Sequence, residues 1–141
     1  MQKPAPASGL VIRYDYLWRS EAKRGQQDGS KDRPCAIVVA IESRGGSDFR
    51  ALVAAITHSE PAPGDGLEIP IRIKRHLGLD SDRSWVILSE LNEIDWSDPG
   101  IIPVAKNRWA YGFLPAAFAE QLRDRVRDRI KAARLPVTRR K

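Results

Sequence analysis

Apolar residues recur with a two-residue period over most of the chain and with a four-residue period near its end. From Gly9, the positions Leu10, Ile12, Tyr14 and Tyr16 alternate with Val11, Arg13, Asp15 and Leu17, which is strand spacing. The stretch Arg19 to Asp32 has no aliphatic residue larger than Ala22. It is too polar for a core and too long for a tight hairpin, as expected of a functional lid or a disordered loop. Cys35–Ile41 is a continuous apolar run rich in β-branched residues, the pattern of a strand covered on both faces. Gly45 and Gly46 mark a turn, and Arg50–Thr57 is a further apolar strand that ends in Thr57, His58 and Ser59. After the break at Pro61–Gly66, Leu67, Ile69, Ile71 and Ile73 alternate with Glu68, Pro70, Arg72 and Lys74, predicting a half-exposed strand with Pro70 at a sheet edge. A short turn or helical piece over Lys74–Leu79 leads to a fifth strand, Ser84–Leu91, and Ile101–Val104 is a sixth.

The last period is helical. Leu114, Phe118, Leu122, Val126 and Ile130 recur every four residues behind Pro115, predicting an amphipathic helix from about Pro115 to Arg134, stopped by Pro136. The expected architecture is therefore mainly β, a strongly bent antiparallel sheet or small barrel with a long C-terminal helix packed on it. Residues 1–8 read as a flexible leader, 9–135 as a single domain and 136–141 as a basic tail.

A chain of 141 residues has enough surface to bury for an independent core, and its 42% hydrophobic and 30% charged content is ordinary for a globular protein. No apolar run approaches the ~18 residues of a membrane span. The N-terminus lacks a secretory h-region, so the expected location is cytoplasmic, with no membrane partner. One cysteine and two histidines make neither an internal disulfide nor a common structural zinc site. Cys35 lies in the buried run and reads as a core residue, as does Trp85; Trp109 and Tyr111 suit a dimer interface or the underside of the helix. The net charge of +6 is confined to the C-terminal segment: residues 1–119 carry 15 basic and 15 acidic groups, and residues 120–141 carry nine and three. A polyanion site in the body must therefore be a local cluster.

Nucleotide-binding glycine loops, zinc-protease helices and serine-hydrolase elbows are all missing from the sequence. What remains is polar groups at strand ends: Arg33 before Pro34 at the start of one strand, Thr57, His58 and Ser59 at the end of the next, and Glu90 near the end of the fifth. If those two strands are antiparallel, Arg33 and Thr57 share a sheet end. These residue types suit cofactor-free RNA cleavage through the 2′-hydroxyl. Arginine stabilises charge on phosphate oxygens, a threonine hydroxyl orients one of them, and a glutamate or histidine moves protons. Read alone, they more readily suit a salt bridge, a strand cap and an exposed histidine.

The run GLVIRYDY, a polar loop and then DRPCAIVVA resembles the opening of the PemK/MazF toxins. ALVAAITHS resembles that family's second block, an apolar strand ending in I-T, and SWVILSELNEIDW resembles the third. The three blocks occur in order, and with the terminal helix the resemblance covers about Gly9 to Leu135. It implies an SH3-like barrel with a terminal helix, usually a homodimer. It also implies a cofactor-free endoribonuclease that cuts single-stranded RNA to a 2′,3′-cyclic phosphate and a 5′-hydroxyl, and an acidic antitoxin as partner. By position, Arg33 corresponds to the family's catalytic arginine, assigned phosphate stabilisation and proton donation to the leaving oxygen. Thr57 corresponds to the threonine that positions the phosphate.

Two departures stand out. Some members use an Arg and an Asp two residues apart in the third block, where this chain has Leu88 and Glu90, so Glu90 and His58 are the proton-transfer candidates. The first loop and the segment Glu60–Asp82 are also longer than the family pattern. Trp18, Arg19, Arg24 and Lys31 flank or line the first loop, and with Pro34 and Ser59 they are the expected RNA contacts. The competing reading is a non-catalytic binding protein on the same barrel, either a degenerate RNA binder or a relative of the CcdB gyrase poisons. The ending RLPVTRRK lacks the apolar, Trp-containing terminus of the latter.

Overall fold

The computed structural model describes residues 2–42, 48–132 and 135–140; the turn expected at Gly45 and Gly46 and the predicted helix end at Arg134 lie outside them. The structure is mainly β with a C-terminal helix. Strands β1 (Leu10–Tyr14), β2 (Arg33–Glu42) and β3 (Phe49–Thr57) pair antiparallel as the apolar runs predict. Side chains alternate between two cores. Ala36, Val38, Ala54 and Ile56 face one, and Cys35, Ile37, Val53 and Ala55 face the other, so β2 is covered on both faces over Cys35–Val38, whereas Val39 and Ile41 of the same apolar run are exposed.

A register shift between Ile37 and Val39 bends β2, and β3 then serves two neighbours. Its first half, Arg50 to Val53, pairs with β6 (Leu91–Asp95), and its end, Ile56 and Thr57, pairs with β5 (Trp85–Ile87). β4 (Gly66–Glu68) flanks β5, while β7 (Ile101–Ile102) and β8 (Gly112–Phe113) flank β1. The path β4-β5-β3-β2-β1-β7 has two ends and does not close on itself among the described residues.

Three sequence expectations are corrected. The alternation over Leu67–Lys74 is not one strand: β4 ends at Glu68, and Ile71–Leu77 forms helix α2, with Pro70 in the N-cap position and Gly78 closing it at φ +72°. Ile69, Ile73 and Leu77 pack on the first core and also fit a four-residue period, so the helical spacing was present beneath the alternation. Ser84–Leu91 is likewise not one strand: β5 ends at Ile87, Leu88–Glu90 interrupt it, and β6 begins at Leu91.

The third correction concerns the C-terminal segment, where Val137–Arg139 forms β9, parallel to β6, and Arg140 is buried. At the other end, Lys3 caps the Trp96 carbonyl, Ser8 donates to Val38 O at 2.8 Å, and Pro6 is buried, so this leader lies along the sheet.

Helix α3 (Ala116–Lys131) starts one residue after Pro115 and buries Phe118, Leu122 and Val126 against the first core, while Ile130, the last position of the stripe, is 51% exposed. The polar first loop contains a short helix, α1 (Arg19–Lys23). Buried Glu21 organises it by accepting the Trp18 N–H at 3.0 Å, the Gln26 amide and the Ser30 hydroxyl.

Candidate functional site

The antiparallel pairing of β2 and β3, with Cys35 opposite Ala55, brings the start of one strand and the end of the other to the same sheet end. There Arg33, Pro34, Thr57, His58 and Ser59 line one cleft of ≈ 240 Å³ together with Lys31. Its far wall comes from the longer segment: Lys74 on α2, and Leu79, Asp80 and Ser84 after it.

Arg33 stacks on Trp18, with the guanidinium carbon 5.0 Å from the ring centroid, and Trp18 in turn meets Tyr16 edge-on at 4.9 Å. The Arg33 Nε is buried and has no hydrogen-bond partner among the described residues. An unsatisfied buried donor costs about 1–3 kcal/mol, so this nitrogen adds nothing to stability where it stands, a condition that Trp109 Nε1 shares. Among the described residues neither Arg33 nor Lys31 forms an ion pair, which leaves two cations facing the cleft without internal neutralisation. The Thr57 hydroxyl oxygen accepts the Ser59 N–H at 3.1 Å, so its own hydrogen remains available to a ligand oxygen.

His58 Nε2 lies 2.8 Å from one Asp80 oxygen and 3.1 Å from the other. Lys74, 2% exposed, donates to Asp80 Oδ1 at 2.7 Å, to Ser84 Oγ at 2.6 Å and to the Asp82 carbonyl. The Lys74 hydrogen bond, reinforced by its charge, holds the Asp80 carboxyl below the usual carboxylate range. His58, Asp80 and Asp82 each offer one possible metal-ligand atom, all within 4.8 Å of one another. The Lys74 ammonium already occupies Asp80 Oδ1 as a cation, which works against a second one there.

Other expected site residues fall elsewhere. Glu90 is not part of the cleft lining. Its Oε1 accepts the Arg19 N–H at 2.9 Å and the Tyr16 hydroxyl at 3.3 Å, so it buttresses the Tyr16–Trp18 platform beneath Arg33. Burial pushes the Glu90 carboxyl above its ordinary value. A carboxyl raised by folding favours the folded state below its unfolded value, and that contribution is lost as pH rises through the folded one. Glu90→Gln keeps the acceptor oxygen and removes the charge. It is expected to raise the denaturation midpoint at pH 7 but not at pH 4, as urea titrations at the two values would show.

Arg19 and Arg24 are exposed at the start and C-cap of α1, outside the cleft lining. Leu88, two residues before Glu90, is fully buried. Cys35 is buried and its thiol is pushed up by desolvation, in keeping with a core role; Trp85 is also core. Lys74, Asp80 and Ser84 were not anticipated. Lys74 and Asp80 fall in the segment Glu60–Asp82, whose apolar spacing reads as alternation rather than as a wall of the site, and Ser84 opens the next apolar run.

The chain matches no protein-family model and no curated protein. Among the described residues no helix is long and apolar enough to cross a membrane.

Proposed function

We propose that the protein is an endoribonuclease that cuts single-stranded RNA through its own 2′-hydroxyl, acting as the toxin of a toxin–antitoxin pair in the cytoplasm. The observation that carries this reading is the convergence of Arg33 and Thr57 on one cationic cleft, with the Arg33 Nε buried and unpartnered. Arg33 stabilises charge on the phosphate oxygens, and Thr57 donates its hydroxyl hydrogen to one of them. Lys31 and Pro34 flank the scissile position, and Trp18 supports Arg33 rather than stacking freely. Of the two proton-transfer candidates, His58 lines the cleft and Glu90 does not.

Further support comes from the sheet. A bulged β2 and a β3 shared between β5 and β6 are the bends that an SH3-like barrel requires, and α3 covers one face. A homodimer and an acidic antitoxin complete the proposal; the basic faces of α3 offer such a partner Arg123, Arg125 and Arg127.

Incubation with long single-stranded RNA in excess EDTA tests the activity. Discrete cuts with cyclic-phosphate ends are expected, weakened ~10²-fold by Thr57→Ala through loss of one phosphate donor. Intact RNA across several sequences at high protein concentration would remove the nuclease assignment.

A further inference from the structure

The wall supplied by the segment after β4 carries polar groups that the phosphate chemistry of Arg33 and Thr57 does not use. Lys74 is almost completely buried, yet all three of its ammonium contacts go to the loop 80–84: the Asp80 carboxylate, the Asp82 carbonyl and the Ser84 hydroxyl. The backbone N–H of Asp82 also donates to Asp80 Oδ1, at 3.1 Å. Asp80 is thereby fixed from one side, while its carboxylate faces His58 Nε2 on the other. We propose that Lys74 and Asp80 are positioning residues that present His58 as the proton acceptor of the cleft. This inference rests on the ribonuclease reading.

An ionised carboxylate only accepts hydrogen bonds, so the ring nitrogen facing it must carry the hydrogen. In a neutral imidazole that leaves Nδ1 with the lone pair. His58 Nδ1 takes the proton of the attacking 2′-hydroxyl as O2′ forms its bond to phosphorus and the bond from phosphorus to O5′ breaks. The resulting imidazolium is balanced by Asp80 and returns the proton, through water, to the departing O5′, so no co-reactant is consumed. The groups around His58 on every side are Asp80 and Asp82 from the loop, Lys74 behind Asp80, Lys31, Asp32 and Arg33 at the start of the adjacent strand, and Glu60, which pairs with Arg83 at 3.7 Å.

The test measures RNA cleavage in EDTA by the full chain and its variants, with and without free imidazole, alongside ¹⁵N NMR of the His58 ring. His58→Ala is expected to lower kcat ~10²-fold or more with KM within about twofold, and imidazole to restore part of the loss. Imidazole should restore nothing to Arg33→Ala. Asp80→Asn keeps an oxygen to accept from Lys74 and should lower kcat ~10-fold or more, short of the loss at a buried triad aspartate because this side chain is 52% exposed. Lys74→Gln should act in the same direction, and Asp80→Asn alone decides if that variant does not fold. The NMR spectrum should place the hydrogen of the neutral ring on Nε2 in the wild type and lose that preference in Asp80→Asn. Unchanged kcat in His58→Ala or Asp80→Asn, no imidazole rescue, or a hydrogen on Nδ1 would overturn the inference while the nuclease stood. A wild type that cuts no RNA removes both, and that outcome is recognisable because Arg33→Ala then has nothing to lose.

Discussion

Replacing Arg33 by methionine is expected to lower RNA cleavage by ~10³-fold while leaving the fold as stable as before or slightly more so. The activity estimate follows from removing a preorganised cation from a developing phosphorane, an effect of ~10²–10³ for a single donor and larger for an arginine on phosphate. The stability estimate follows from what surrounds the side chain. Its Nε is buried without a partner among the described residues, so deletion relieves a desolvated donor. What is lost is the guanidinium over Trp18, worth about 0.5–2 kcal/mol, and methionine retains an apolar stem there. The expected signature is a collapse of activity with an unchanged or raised melting temperature, the pattern of a residue retained at a cost to stability. Cleavage rates and thermal denaturation on the same preparation check it. A variant that loses activity and stability together would recast Arg33 as a structural residue.

The largest stability loss is expected for Asn92→Ala. Asn92 is fully buried, donates to Leu17 O at 2.8 Å, and accepts the Leu17 N–H at 2.9 Å and the Arg140 guanidinium at 3.3 Å. Arg140, 6% exposed, also donates to the Asp15 carbonyl at 2.9 Å. Alanine leaves both Leu17 backbone groups without partners and weakens the seat of Arg140. Each unsatisfied buried group costs about 1–3 kcal/mol, so a loss of ~2–4 kcal/mol is expected, a drop of ~10 °C in melting temperature at this chain length. Arg139→Ala, at a neighbouring side chain 75% exposed, should change stability by less than about 1 kcal/mol. Urea denaturation of the two variants separates these outcomes. Because Asn92 clamps the residue before Trp18, its loss should also loosen the platform under Arg33.

Much of the strand framework was legible because two-residue alternation and a run apolar at every position are direct consequences of one-sided and two-sided burial. Leu10–Tyr14, Cys35–Val38 and Arg50–Thr57 show this, and Phe118, Leu122 and Val126 show the helical equivalent. The reading failed where one stretch satisfied both periods. Leu67 to Leu77 places apolar residues at two-residue and at four-residue intervals, and only packing against the first core chose the helix. It failed again where polarity suggested solvent. Asn92 and Arg140 are buried on partners far away in sequence, while buried Glu21 and Lys74 find theirs within the next turns and loops of the chain.

By itself the sequence determined the first three strands and the terminal helix, the neutral body with its basic end, and the placement of an arginine at one strand's start and a threonine at the next strand's end. Those are properties of composition and period. Tertiary structure alone decided that Glu90 stands behind the platform while His58 faces the cleft, and that Lys74 and Asp80 form its far wall. It also decided that the C-terminal residues complete the sheet as β9. Each of these depends on contacts between segments distant along the chain, where burial makes every polar group find a partner and local spacing carries no record of which one.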